Sequence, residues 1–181
     1  MKDISYHILD IVQNSLQAGA EKVTIDLTRN SDTGVMVLKI CDNGKGMSPE
    51  VVEKAIDPFY TSSVKKKVGL GLPLLRQNAE LTGGTFSIES EVSLGTKVMA
   101  VFNFNHIDMI PMGDLGITFK TLIAANPSKD FVLTQMADDK EFIMDTAEIR
   151  NELEEISIDT KEILDFIAAM IRENQEVFTN N

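Results

Sequence analysis

Val35-Met36-Val37-Leu38-Lys39-Ile40-Cys41-Asp42-Asn43-Gly44-Lys45-Gly46, residues 35–46, carries an alternating apolar strand straight into an aspartate and two glycines. A carboxylate held at a strand end can accept a hydrogen bond from an amine, and glycines let a flat ligand approach the backbone. Taken alone, the same residues also read as a strand closed by an Asp-Asn-Gly turn. Just upstream, Val23, Ile25 and Leu27 alternate with polar residues, and Asn30 to Gly34 supply turn chemistry, so the two stretches predict a β-hairpin.

Before the hairpin, residues 3–18 predict a helix. At about 100° per residue, Ile4, Ile8, Ile11, Val12 and Leu16 fall on one side, and His7, Asp10, Asn14 and Gln17 form a polar stripe on the other. Asp3 is placed to cap it and Gly19 to end it. Asp10 and Asn14, four apart, reach one point above the helix, a spacing that suits a water-orienting carboxylate beside an amide that ligates a hard cation. An exposed polar face produces such pairs without any function.

Downstream, Ser48-Pro49-Glu50 opens a short helix to about Ile56, and residues 57–68 are expected to loop. Gly69-Leu70-Gly71-Leu72 leads into Pro73 as the first residue of a helix to Leu81, an arrangement that aims backbone donors at a phosphate chain. No Gly-x4-Gly-Lys-Ser/Thr stretch exists, so a P-loop is excluded. Lys65-Lys66-Lys67 would add positive charge beside those glycines, or simply form a solvated loop. Strands over 85–91 and 97–104 follow, then a helix over 115–125, a second hairpin over 131–136 and 141–144, and two helices announced by Asp145-x-x-Glu148 and Asp159-x-x-Glu162. Few strands are joined by βαβ units, which points to a mixed α+β sandwich.

The formal charge of −11 is uneven: residues 1–104 hold 11 basic and 12 acidic residues, and residues 105–181 hold 6 and 16. This suggests two functional regions, 1–104 and an acidic C-terminal α+β extension over 105–181. The balance argues against a general nucleic-acid binder, which would need a basic stripe. No stretch approaches a membrane span, the first ten residues lack a basic start and an apolar block, and Cys41 is the sole cysteine. A cytoplasmic chain without disulfide is the expectation.

The ordered set Asp10-x-x-x-Asn14, Asp42-x-Gly44-x-Gly46, Asp57-Pro58-Phe59-Tyr60-Thr61, Gly69-Leu70-Gly71-Leu72 and Gly95-Thr96 resembles the complete motif set of the GHKL superfamily, over about residues 5–104. The resemblance implies the Bergerat ATP-binding fold, a mixed sheet with helices on one face, with ATP and magnesium as ligands. It implies a magnesium ligand at Asn14 and the general-base position at Asp10. Asp42 would recognise the adenine amine beside Gly44 and Gly46, with Thr96 assisting. Phe59 would match the F box, Lys65 and Lys67 a short lid, and Gly69, Gly71 and Leu72 the second glycine box. Residues 13–20 look like MutL, whereas residues 58–61 and 69–75 look like histidine kinases. The ATPase branches usually carry Glu where this chain has Asp10, one methylene shorter, so hydrolysis is expected to be slow. The expectation is an ATPase or kinase that acts on a separate protein partner, a phosphoacceptor or regulated target. The alternative is a non-catalytic, ATP-gated protein-binding module.

Overall fold

The computed structural model describes residues 3–57 and 70–179. The elements run α1 (Ile4–Gln17), β1 (Lys22–Asn30), β2 (Val35–Asp42), α2 (Pro49–Ala55), α3 (Gly71–Leu81), β3 (Thr85–Glu91) and β4 (Gly95–Asn103). They continue as α4 (Leu115–Ala125), β5 (Asp130–Ala137), β6 (Lys140–Asp145), α5 (Thr146–Leu153) and α6 (Lys161–Thr179). The order matches the sequence pattern. Some elements differ at their starts: β4 begins at Gly95, and α3 begins at Gly71, so Pro73 occupies its third position, where a helix still has no use for the missing N–H.

All six strands share one sheet, in the order β3-β4-β2-β1-β5-β6. Every neighbouring pair is antiparallel except β1 and β5, which run parallel with Lys22 opposite Asp130. The sheet is therefore mixed, and its last hairpin is supplied by the acidic C-terminal part of the chain.

Alternation decides which face is dry. Ile25, Ile40 and Val98 stand side by side across β1, β2 and β4, as do Leu27, Leu38 and Ala100, and all are buried. Onto this face α1 brings Ile4, Ile8, Ile11 and Val12, α3 Leu75 and Ala79, α4 Leu115 and Phe119, and α6 Ile167 and Ile171, all in one core. Burying each such side chain is worth about 1.5–3 kcal/mol. The opposite face carries Thr24, Asp26, Lys39 and Cys41, only half-buried, with Lys39 Nζ 2.9 Å from Asp26 Oδ2. Partial burial holds the Cys41 thiol above its ordinary pKa.

The helix ends are capped largely as the sequence indicates. Asp3 accepts from Tyr6 N–H at 2.8 Å, Asp114 from Ile117 N–H at 2.8 Å and Asp145 from Ala147 N–H at 2.7 Å. Asp159 instead accepts from the Ser157 hydroxyl, and α6 starts at Lys161. The first N–H groups of α1 find unusual partners: Ile4 donates to the Pro111 carbonyl (3.0 Å) and Ser5 to the Met112 carbonyl (2.8 Å). The segment between β4 and α4 thus straps the start of α1. Among the described residues no helix is long and apolar enough to cross a membrane.

Candidate functional site

Asp42 is the last residue of β2, and two contacts aim its carboxylate. Oδ2 accepts from the Ser15 hydroxyl of α1 at 2.7 Å, and Oδ1 accepts from Gly44 N–H at 2.8 Å. Each oxygen keeps a further lone pair for an incoming donor such as an amine. Directly across the β2–β4 ladder stands Thr96. Its hydroxyl lies 2.9 Å from that of Ser90, which also donates to the Gly95 carbonyl and accepts from Met47 N–H. Ser15 and Ser90 escape sequence reading because they carry no motif, although the burial of Ser15, next to Asn14 on the helix, marks it in the structure.

The turn after Asp42 is tied down on both sides. Asn43 Oδ1 accepts from the N–H groups of Glu21 and Lys22, each at 2.9 Å, and Lys45 N–H reaches the Ala18 carbonyl at 3.0 Å. From the other side the β3–β4 turn presses in, with Ser93 N–H on the Lys45 carbonyl at 2.8 Å. Gly46 has φ +63°, and a Cβ there would lie 1.9 Å from the Glu91 carbonyl oxygen. A Cβ on Gly95, at φ +107°, would lie 1.9 Å from the Asp42 carbonyl oxygen. These two glycines are required by backbone packing between the turns. Gly44 has ordinary φ, and a Cβ would meet Asp42 and Ala18 at 3.0–3.2 Å, a tight contact.

A second cluster forms where α1 meets α3. Asp10 is half-buried and Asn14, one turn on, is exposed. The Asp10 carboxylate occupies the space that a side chain at Gly71 would need, with Oδ2 only 1.8 Å from the position of a Cβ. The carboxylate therefore stands against the positive end of the α3 dipole. Leu72 is half-buried and packs against the core, while Leu70 is exposed. Phe59, Lys65, Lys67 and Gly69 lie outside the described residues.

His7 keeps its place on the polar stripe beside Asp10 but is not exposed. It is fully buried, because α3 lies across that part of α1, and Asn78 Nδ2 sits 2.8 Å from its Nε2. Burial pulls its pKa down to about 4, so the ring is neutral near pH 7.

A shallow cleft of about 330 Å³ opens at the ends of β2, β3 and β4, with Asp42, Ser90 and Thr96 among its walls. Among the described residues no group of three His, Cys, Asp or Glu side chains could by itself hold a metal. A cation here would therefore lean on the exposed amide of Asn14 and on oxygens brought by a ligand, which is how magnesium is held beside phosphates.

Residues 2–106 match the model of the family described as histidine kinase-, DNA gyrase B-, and HSP90-like ATPase. The chain is 34% identical to sporulation kinase D of Bacillus subtilis over 91 residues, 50% of this chain and 18% of that protein. It is 41% identical to the DNA mismatch repair protein MutL of Clostridium perfringens over 58 residues, 32% of this chain and 8% of that protein. The chain thus spans under a fifth of the length of these relatives. In fold, it is similar to the MutL ATPase domain of Aquifex aeolicus complexed with ADP. That likeness has a TM-score of 0.51 and 16% identity, and covers 85% of this chain and 68% of that one.

Proposed function

The chain belongs to the histidine kinase-, DNA gyrase B- and HSP90-like ATPase family, and from that premise we propose that it binds Mg-ATP between the Asp42 cluster and the Asp10 cluster and either hydrolyses it slowly or passes the terminal phosphoryl group to a separate protein. The observation that carries this reading is the Asp42 carboxylate, fixed by Ser15 and Gly44 and facing Thr96 across the ladder. Such a carboxylate accepts the exocyclic amine of adenine, with Thr96 able to hold a bridging water. Gly44 leaves the backbone accessible to the base, and Gly46 and Gly95 keep the surrounding turns in register.

At the other cluster, Asn14 offers an amide oxygen to magnesium, whose chemistry is to neutralise phosphate charge. The start of α3 at Gly71 and Leu72 supplies unpaired N–H groups for the phosphates. Asp10 orients the attacking water or protein hydroxyl. The resemblance assigns Phe59 to an F box, Lys65 and Lys67 to a lid and Gly69 to the phosphate glycines, all outside the described residues.

A regulatory reading is favoured by one further contact. Because Ile4 and Ser5 donate to the Pro111 and Met112 carbonyls, a nucleotide-driven shift of α1 is passed to the acidic C-terminal part. Calorimetry with Mg-ATP on wild type, Asp42→Asn and Asp10→Asn, with phosphate release read on the same samples, tests both. Losing one charge-assisted hydrogen bond is worth about 1.5–3 kcal/mol, so Asp42→Asn is expected to weaken binding by about 10–150-fold. Asp10→Asn is expected to bind and release no phosphate. Binding without release from any variant selects the regulatory reading, and a wild type that does not bind overturns the proposal.

A further inference from the structure

His7 is costly where it stands. A fully buried imidazole has one ring nitrogen, Nε2, hydrogen-bonded to Asn78, and the other, Nδ1, with no well-formed hydrogen bond among the described residues, only the Gly71 backbone beside it. The Asn78 amide nitrogen can only donate, so Nε2 accepts and the ring proton resides on Nδ1. A buried donor held so poorly is destabilising, and a leucine of similar volume would avoid that penalty. What the histidine provides is a directed contact that an aliphatic side chain cannot make.

That contact lies beside the Asp10 cluster. His7 is three residues, one helical turn, before Asp10 on the same side of α1. Asn78 is seven residues, two turns, beyond Gly71 on the same side of α3. The two helices therefore touch through two polar points, His7 with Asn78 and the Asp10 carboxylate with the missing side chain of Gly71. The Asp10 contact leaves no room for error. Its carboxylate fills the space that a Cβ at Gly71 would need, so a helix shift of under 1 Å displaces it. Hydrogen bonds pin α1 at both ends, from Ile4 and Ser5 to the Pro111 and Met112 carbonyls and from Ser15 to Asp42, so it is the place of α3 along α1 that the polar contacts are left to set.

We propose that His7 and Asn78 form a strut that sets the offset between α1 and α3, and that His7 is a positioning residue for the Asp10 carboxylate at the start of α3. This rests on the reading of Asp10 as the group that orients the nucleophile. A neutral ring suits the task. With a pKa near 4, His7 keeps Nε2 as an acceptor throughout the physiological range, so the strut does not open as pH drifts. Asp3 opposes the shift by its charge and the Gly71 backbone by its nearness, and burial outweighs both.

The test compares His7→Leu, which keeps volume and loses the acceptor, with His7→Gln, whose amide oxygen can take the place of Nε2. Asn78→Ala breaks the strut from the other side and serves if His7→Leu does not fold. Two readouts are taken on the full chain. The first needs no nucleotide: the NMR signal of the Gly71 amide, which Asp10→Asn must move because the carboxylate lies against it. The strut predicts that His7→Leu and Asn78→Ala also move this signal and that His7→Gln leaves it near the wild-type position. The second is phosphate release at saturating Mg-ATP. His7→Leu and Asn78→Ala are expected to lower it about 10–100-fold, with Mg-ATP affinity changed less than about threefold, and His7→Gln to restore it. Folded His7→Leu and Asn78→Ala proteins with a wild-type Gly71 signal overturn the strut. Moved Gly71 signals in His7→Leu and Asn78→Ala, beside a wild type that neither binds nor turns over Mg-ATP, uphold the strut as geometry and overturn the ATP reading on which its catalytic meaning rests.

Discussion

Replacing Gly46 with alanine separates two explanations for a glycine beside a proposed ligand site. If the residue is glycine so that a flat ligand can approach, the substitution is nearly harmless without ligand. The structure gives a different reason. At φ +63° an alanine costs about 1–2 kcal/mol for its left-handed backbone. Its Cβ would then lie 1.9 Å from the Glu91 carbonyl oxygen, against the 3.4 Å at which ordinary contact begins, so the β3–β4 turn must retreat by about 1.5 Å. Both sides of that contact are backbone, and no side-chain rotation relieves it. Overpacking of this kind costs about 1–3 kcal/mol, for a total of about 2–5 kcal/mol. Gly83 is the control: its φ is +77° and a Cβ there meets nothing within 4 Å, so Gly83→Ala is expected to cost only the backbone part, about 1–2 kcal/mol. The assay is urea unfolding without nucleotide, with the slope checked for constancy between variants. Should Gly46→Ala be no less stable than Gly83→Ala, the packing argument is refuted.

At Gly71, where φ is ordinary and the obstructing atom is the tip of the Asp10 side chain, alanine is expected to leave the unfolding midpoint close to wild type and to abolish phosphate release, because the carboxylate must swing away. Asp10→Ala removes the obstruction, so in that background Gly71→Ala should raise the unfolding midpoint, as an unobstructed glycine-to-alanine change in a helix does; equal midpoint shifts in both backgrounds would contradict the contact. His7 also makes stability depend on pH. The unfolded chain takes up a proton near pH 6.5 and the folded chain only near pH 4, so stability is full above 6.5 and falls through that window by up to about 3 kcal/mol as pH drops. Urea midpoints from pH 7 to pH 4.5 should show this decline in wild type and a shallower one in His7→Gln. At the other end of the chain, Asp114 caps α4 and pairs with Arg172, which holds its carboxyl below the usual range. Asp114→Asn, keeping the cap, is expected to cost under about 1 kcal/mol and Asp114→Ala about 1–2 kcal/mol, as read by thermal unfolding.

Local rules carried most of the fold into the sequence. Asp3 and Asp145 announce their helices because a short oxygen-bearing side chain caps only the residues that follow it. The alternation of Val23, Ile25 and Leu27 shows which face is dry, because strand periodicity is independent of what packs on it. The positions of Asp10, Asn14, Asp42 and Thr96 were legible as motifs. What holds them was not. Ser15, Asn43 and Ser90 act across elements distant in sequence, and a serine on a helix gives no sign of reaching a strand end. The burial of His7 was hidden for the same reason, since a helical wheel sets it beside Asp10 and knows nothing of the second helix that covers it. The reason for Gly46 and Gly95 also lay out of reach, because it depends on how closely two turns press together.

The parallel ladder between β1 and β5 imposes an order of events on the growing chain. Lys22 meets Asp130, more than one hundred residues later, and closing a loop of that length costs about 4 kcal/mol of chain entropy beyond a constant. During synthesis β1 and β2 can pair at once, but the far edge of β1 waits roughly 5–20 s for its neighbour to emerge. Throughout that interval the backbone beside Val23, Ile25 and Leu27 is an open edge, the kind on which other chains aggregate. A chain cut after residue 104 would remain permanently in that state. The acidic C-terminal hairpin therefore serves as the built-in guard of a central strand, and the net charge that arrives with it keeps nascent copies apart while the sheet is completed.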